Sequence, residues 1–196
     1  MIIGIDYGTK LSGHTIMAFY QDPVTPVQFR RAVPGEDADK KVLSVLKDVD
    51  TPAEVFLDAP LSLPNVYKEV PGFEDFFYRI ADRDVKAMSP MFLGGLTARA
   101  MKIKTQLEAL GFRVHEVYPS ALSGELGLKE LGYKKEQKNI RPVVARIVKE
   151  FPMKLNTQHV EDWHFVDALL CAATGIRYKT KKARKFGKPD EGLIWV

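Results

Sequence analysis

Residues 1–13 read MIIGIDYGTKLSG, and the fold turns on this run. Four apolar or small residues, Ile2 to Ile5, lead straight into the carboxylate of Asp6, with Gly8 and Thr9 close behind. A buried, unpaired carboxylate costs several kcal/mol, so Asp6 at the end of a strand must meet water, a cation or a ligand. The elements that follow decide which.

Residues 2–7 and 13–20 (GHTIMAFY) read as strands joined by a short glycine-containing turn, and 26–33 (PVQFRRAV) as a third, giving an antiparallel meander. The spacing of Val42, Leu43, Val45, Leu46 and Val49 predicts a helix over 36–49. AEVFLDAPL then supplies an apolar strand ending at Asp58, and a helix between two strands implies a parallel crossover. Residues of about 60–93 are rich in proline and aromatics without clean periodicity, which predicts a long excursion holding a short helix near 74–85. A helix over 94–110, stopped by Gly111, and the strand in FRVHEVYPS make a second crossover. Helices follow near 120–127, 137–151 and 160–175, and GLIWV reads as a short edge strand.

Three antiparallel strands followed by two parallel ones with helical crossovers is the order of an α/β, ribonuclease-H-like mixed five-stranded sheet flanked by helices. The carboxyl ends of the parallel strands open onto one crevice, where ligands bind. Asp6 ends the first strand there, Asp58 the fourth and Glu116 the fifth, and Asp167 lies in the last helix with His164 three residues earlier on the same face. Asp162 is placed as that helix's N-cap instead. Each acid alone has a structural role open to it: Asp58 can cap a turn, and Glu116 or Asp167 can pair with a base. Together they form a catalytic candidate set, because clustered carboxylates repel unless a cation compensates. Hard oxygen donors favour Mg2+ or Mn2+, and such ions assist phosphodiester cleavage.

Composition agrees with a soluble globular chain of 196 residues, 45% hydrophobic and 28% charged, read as one domain over 1–196. A lone cysteine, Cys171 in an apolar helical stretch, allows no intrachain disulfide and suits a reducing cytoplasm. No apolar run approaches the roughly 20 residues that span a bilayer, so no membrane role is expected. The net charge of +4 is uneven: residues 177–188, RYKTKKARKFGK, carry seven basic side chains and no acid. Lys181, Lys182, Arg184 and Lys185, with Tyr178 and Phe186 interleaved, suit a polyanion such as nucleic acid. His14, His115, His159 and His164 show no zinc spacing with Cys171.

GIDYG, FLDAPL, HEVYPS, GYKKEQKNIR and VDALLCAA with GLIWV are similar, over nearly the whole chain, to family four-two-nine of the domains of unknown function, described as predicted nucleases of ribonuclease-H fold. The first and last motifs also resemble RuvC-type Holliday junction resolvases. The resemblance implies that Asp6, Asp58 and Asp167 are metal ligands, with His164 beside them at a position that in some resolvases holds a carboxylate or histidine. Glu116, the pair Arg79 and Asp82, and the double lysine Lys134 and Lys135 belong to the family pattern. Arg79, Lys134 and Lys135 are then expected on substrate phosphate. The expected function is a divalent-metal-dependent nuclease, and resolvase-like sheets add the expectation of a homodimer. Two other readings stand beside it. One is a non-catalytic nucleic-acid-binding or assembly protein of the same fold. The other follows from GIDYGT, which also resembles the first phosphate loop of actin-like sugar kinases and chaperone ATPases, although no second such motif follows.

Overall fold

The strand that carries Asp6 lies in the middle of a seven-stranded mixed sheet in the computed structural model, which describes residues 1–50 and 52–196. In chain order the elements are β1 (Ile2–Asp6), β2 (Ile16–Tyr20), β3 (Gln28–Arg31), α1 (Ala38–Lys47), β4 (Glu54–Asp58), α2 (Ile80–Val85), α3 (Pro90–Leu93), α4 (Gly95–Ala109), β5 (Arg113–Val117), α5 (Pro119–Glu125), α6 (Ile140–Glu150), α7 (Trp163–Lys179), β6 (Lys185–Lys188) and β7 (Gly192–Trp195). Across the sheet they run β3-β2-β1-β4-β5-β7-β6. The meander β1 to β3 is antiparallel, β1–β4, β4–β5 and β5–β7 are parallel, and β6 returns antiparallel to β7.

The sheet therefore has two strands more than the five expected. GLIWV is not an edge: β7 lies between β5 and β6, and the edge strand comes out of the basic run. Its sequence KFGK offers one apolar side chain, Phe186, too little for a period-two pattern to register. Lysines on an outer strand also discourage pairing with a further chain. The short helix of the excursion begins at Ile80 rather than near 74, because the Asp75 carboxylate accepts from the amides of Phe77 and Tyr78 and holds that stretch in a turn.

Alternation along β1 sorts its side chains between two core layers. Ile3, Ile5 and Tyr7 face α1 and α4 together with Val55 and Leu57 of β4. Ile2 and Phe56 face α7. A period of two puts Gly4, Asp6 and Asp58 on the α7 side as well. Gly4 is what lets that helix come close: a Cβ there would stand 2.3 Å from the Ala172 amide nitrogen and 2.4 Å from the Ala168 carbonyl oxygen. The α7 helix starts where expected, with Asp162 accepting from the His164 and Phe165 amides. It then runs fully buried from Phe165 to Ile176. Cys171 belongs to this wall, and burial pushes its thiol well above the usual range, the state of an inert core cysteine.

The excursion between β4 and α4 is pinned rather than loose. The buried Glu191 carboxylate, in the β6–β7 turn, accepts from the Asn65 amide at 3.0 Å and the Ile80 amide at 2.8 Å. Among the described residues no helix is long and apolar enough to cross a membrane.

Candidate carboxylate site

The site is built on a register. Asp6 and Asp58 are direct partners in the parallel β1–β4 ladder, so their side chains leave the same face at the same level. Because α7 is drawn down onto Gly4, its first turns stand over that level and bring Asp167 and His164 to the two strand ends. The His164 ring lies 2.7 Å from Asp6, Nδ1 to Oδ2, and since an ionised carboxylate only accepts, Nδ1 carries the hydrogen. His14 stacks on the outer face of His164 at 4.4 Å between centroids.

Asp167 is held from the segment between α5 and α6. Lys134 Nζ stands 2.6 Å from its Oδ2, and the Tyr133 hydroxyl donates to its Oδ1. Lys134 has φ +59°, a left-handed backbone that costs a non-glycine residue about 1 kcal/mol or more and tends to persist where surrounding structure enforces it. Gly132, φ +82°, makes the preceding bend beside the Asn139 side chain, whose amide donates to its carbonyl. Asp58 is left with no side-chain hydrogen-bond partner among the described residues, and its carboxylate borders a cleft of about 380 Å3.

The electrostatics follow from this crowding. Burial raises Asp6 from 3.8 to about 6, helped by the charge of Asp167 and opposed by His164 and Lys134. Asp58 is driven well above its ordinary range by burial and by the charges of Asp6 and Asp167. Asp167 is also raised by burial, although Lys134 and Tyr133 work against that. Partial burial disfavours the Lys134 cation, but the three carboxylates raise it regardless, and the bond to Asp6 raises His164. Three acids facing one lysine and one histidine leave a surplus of negative charge. As the side chains stand, no group of three or more His, Cys, Asp or Glu among the described residues is set to hold a metal ion, since Asp6 is turned to His164 and Asp167 to Lys134. The donor chemistry nonetheless suits a hard divalent cation: three carboxylates at one sheet edge, one of them unpartnered.

This arrangement makes the folded protein without metal sensitive to pH in a definite direction. The fold holds the Asp6 proton more tightly than the unfolded chain does, so the stability this confers is complete below about 3.8 and gone above about 6. His164 is raised too, and its contribution likewise fades as the pH climbs past its ordinary 6.5. Melting temperatures in chelator should show wild type losing ground to Asp6→Asn between pH 4 and 6. A wild type that holds or gains stability relative to Asp6→Asn over that interval would contradict the arrangement.

Two expected site residues belong elsewhere. Glu116 pairs with Leu57, one step short of the Asp6–Asp58 level and therefore on the opposite face of the sheet. There it joins Arg79, which is wholly buried rather than presented to a substrate. The guanidinium donates to Glu116 at 2.6 and 2.8 Å, to Asp82 at 2.6 and 3.0 Å and to the Ser62 hydroxyl at 2.8 Å, and Glu116 also accepts from the Leu61 amide. With its donors taken, Arg79 clamps the excursion to β5 and has nothing left for a phosphate. The basic run is also divided. Arg177 and Arg184 both bind Glu125, and Lys179 binds Glu54. Lys181, Lys182 and Lys185, with Lys135 elsewhere, are exposed and have no acidic partner among the described residues. Sequence reasoning missed Tyr133 and His14. Gly132 just ahead of Tyr133 and Lys134 was the available signal for a shaped bend, and nothing local marks His14.

A family model described as "Protein of unknown function (DUF429)" matches residues 93–192, just over half of the chain. The chain belongs to that family. The DUF429 match takes in Lys134, His164 and Asp167 but stops short of Asp6 and Asp58, a narrower span than the motifs suggested. No curated protein and no solved structure matches the chain.

Proposed function

We propose that this DUF429 protein is a divalent-metal-dependent phosphodiester hydrolase acting on nucleic acid, with Asp6, Asp58 and Asp167 holding Mg2+ or Mn2+. The observation that carries the proposal is the in-register pair Asp6–Asp58 at the carboxyl ends of parallel strands with Asp167 brought over it, three acids raised by burial, Asp6 and Asp58 by neighbouring carboxylate charge as well. The strand order through β5 is in keeping with a ribonuclease-H-like arrangement. A bound divalent ion would supply activation of water and neutralise charge on the leaving oxygen. The chain's own groups do the rest. His164, its Nδ1 hydrogen committed to Asp6, keeps that carboxylate oriented. Lys134, half exposed at the cleft, is placed to meet substrate phosphate as well as Asp167.

A second reading is favoured by one observation: Lys134 already offsets part of the charge of the acid cluster without a metal, which suits a site that binds without turnover. Calorimetric titration with Mn2+, followed by cleavage assays on single- and double-stranded DNA and RNA with and without chelator, separates the two. Metal binding with chelator-sensitive cleavage supports the hydrolase, and nucleic-acid binding with neither property supports the non-catalytic protein. The phosphate-loop reading is weakened because the Gly8 amide donates to the Thr15 hydroxyl rather than standing free.

The exposed lysines give a separate test of nucleic acid as partner. Replacing Lys181, Lys182 and Lys185 with alanine should weaken binding equally for all sequences and reduce the salt slope by about 0.9 for each phosphate no longer neutralised. Arg184 is kept out of this set because it is tied to Glu125. An unchanged slope would return the segment to a solvated edge.

A further inference from the structure

The cleft beside Asp58 has a second character that the carboxylates do not use. Its wall combines the polar Asp58 and Lys134 with Tyr7, Met88, Leu96 and Tyr118. Asp82 and Glu116 also border it, but both are hydrogen-bonded to Arg79, whose charge offsets one of theirs. The Tyr7 hydroxyl is taken by Asp39, so what Tyr7 can offer the cleft is its ring. At about 380 Å3 the space is in the range of small-ligand sites, and the clamps at Arg79 and Glu191 fix the excursion that bounds it.

The rim continues the theme. Met88 is 59% exposed, and just before the cleft residue Leu93 stands Phe92, 62% exposed, its ring centroid 5.4 Å from that of Phe77. Large exposed apolar side chains on the segment that flanks a cleft call for an occupant. A flat, apolar, polarisable group tethered to an anion satisfies both characters of the cleft at once, and aromatic platforms beside a cation are how single strands are held.

We propose that the cleft seats one unpaired nucleobase, its phosphate toward Lys134, with the neighbouring base stacked on the Phe92–Phe77 pair, so that the preferred substrate is single-stranded nucleic acid or an unpaired nucleotide in a duplex. This rests on the phosphodiester reading of the carboxylate site. A space of this size admits one base, and a base within a stacked pair reaches it only by leaving the helix.

The test is binding in EDTA, with no turnover involved. A fluorescein-labelled oligothymidylate of about eight nucleotides is compared with a blunt duplex of the same length. Wild type should bind the strand at least tenfold more tightly than the duplex. Leu96→Trp, which fills the cleft, and Met88→Glu, a change at an exposed rim position that spares the core, should each weaken strand binding about tenfold and leave duplex binding unchanged. Equal affinity for strand and duplex, or Met88→Glu binding the strand like wild type, overturns the proposal. Self-association of wild type that Met88→Glu abolishes, with strand affinity untouched, assigns the aromatic rim to a second copy and also overturns it. Failure of the hydrolase reading shows separately, as absence of Mn2+-dependent cleavage in a protein that still discriminates strand from duplex.

Discussion

Arg79→Ala should lower the melting temperature by roughly 6–20 °C. The substitution strands Glu116 and Asp82, two buried carboxylates for which Arg79 is the one cation at hydrogen-bond distance among the described residues. Breaking a buried ion network by removing one partner costs about 3–5 kcal/mol, and in a chain of this size each kcal/mol moves the midpoint by about 2–4 °C. The triple variant Arg79→Met, Glu116→Gln, Asp82→Asn should recover much of the loss, because it leaves no uncompensated charge behind. Circular dichroism melts check both. An Arg79→Ala protein that melts close to wild type but binds nucleic acid poorly would put the guanidinium on the ligand after all.

Asp6→Asn separates stability from function in the opposite sense. The side chain keeps its size and can still meet His164, but it removes one charge from a cluster already raised by repulsion and burial. Above pH 6, without metal, the variant should therefore melt at or above wild type. With Mn2+ present, wild type should gain stability in proportion to metal binding while the variant gains little. Cleavage should fall by about a hundredfold or more, since a ligand of the activating ion is gone. If the variant melts far lower and wild type ignores Mn2+ and Mg2+, Asp6 is half of a structural pair with His164.

Much of the site was legible because a strand ending on an acid leaves a mark in the sequence. GID and FLD each place a carboxylate after a continuous apolar run, and the parallel ladder put the two in register. Asp167 and His164 were legible from the helical period, and Asp162 from its place as a cap. Glu116 shows where that reasoning stops. HEV looks like GID and FLD, but which face a residue takes depends on a ladder register that one strand cannot reveal, and a single step carried Glu116 to the far side. Arg79 failed for a related reason: an arginine in a polar excursion reads as exposed, and only the two acids brought to it by β5 and α2 make burial possible. The sixth strand was hidden because its pairing with β7 is made through the backbone, and KFGK carries almost no side-chain pattern.

Gly4 and the helix seated on it have a consequence for the protein while it is being made. Asp6 and His164, its partner, lie 158 positions apart, so Asp6 leaves the ribosome long before the residue that meets it. The wall that buries β1 is the same α7 helix, so neither the core around Gly4 nor the acid cluster above it can form until α7 has emerged. Pairings so distant in sequence close slowly. A chain whose α7 is still to be made thus carries Asp6 and Asp58 without an assembled site, so whatever chemistry the cluster performs starts only when that helix docks.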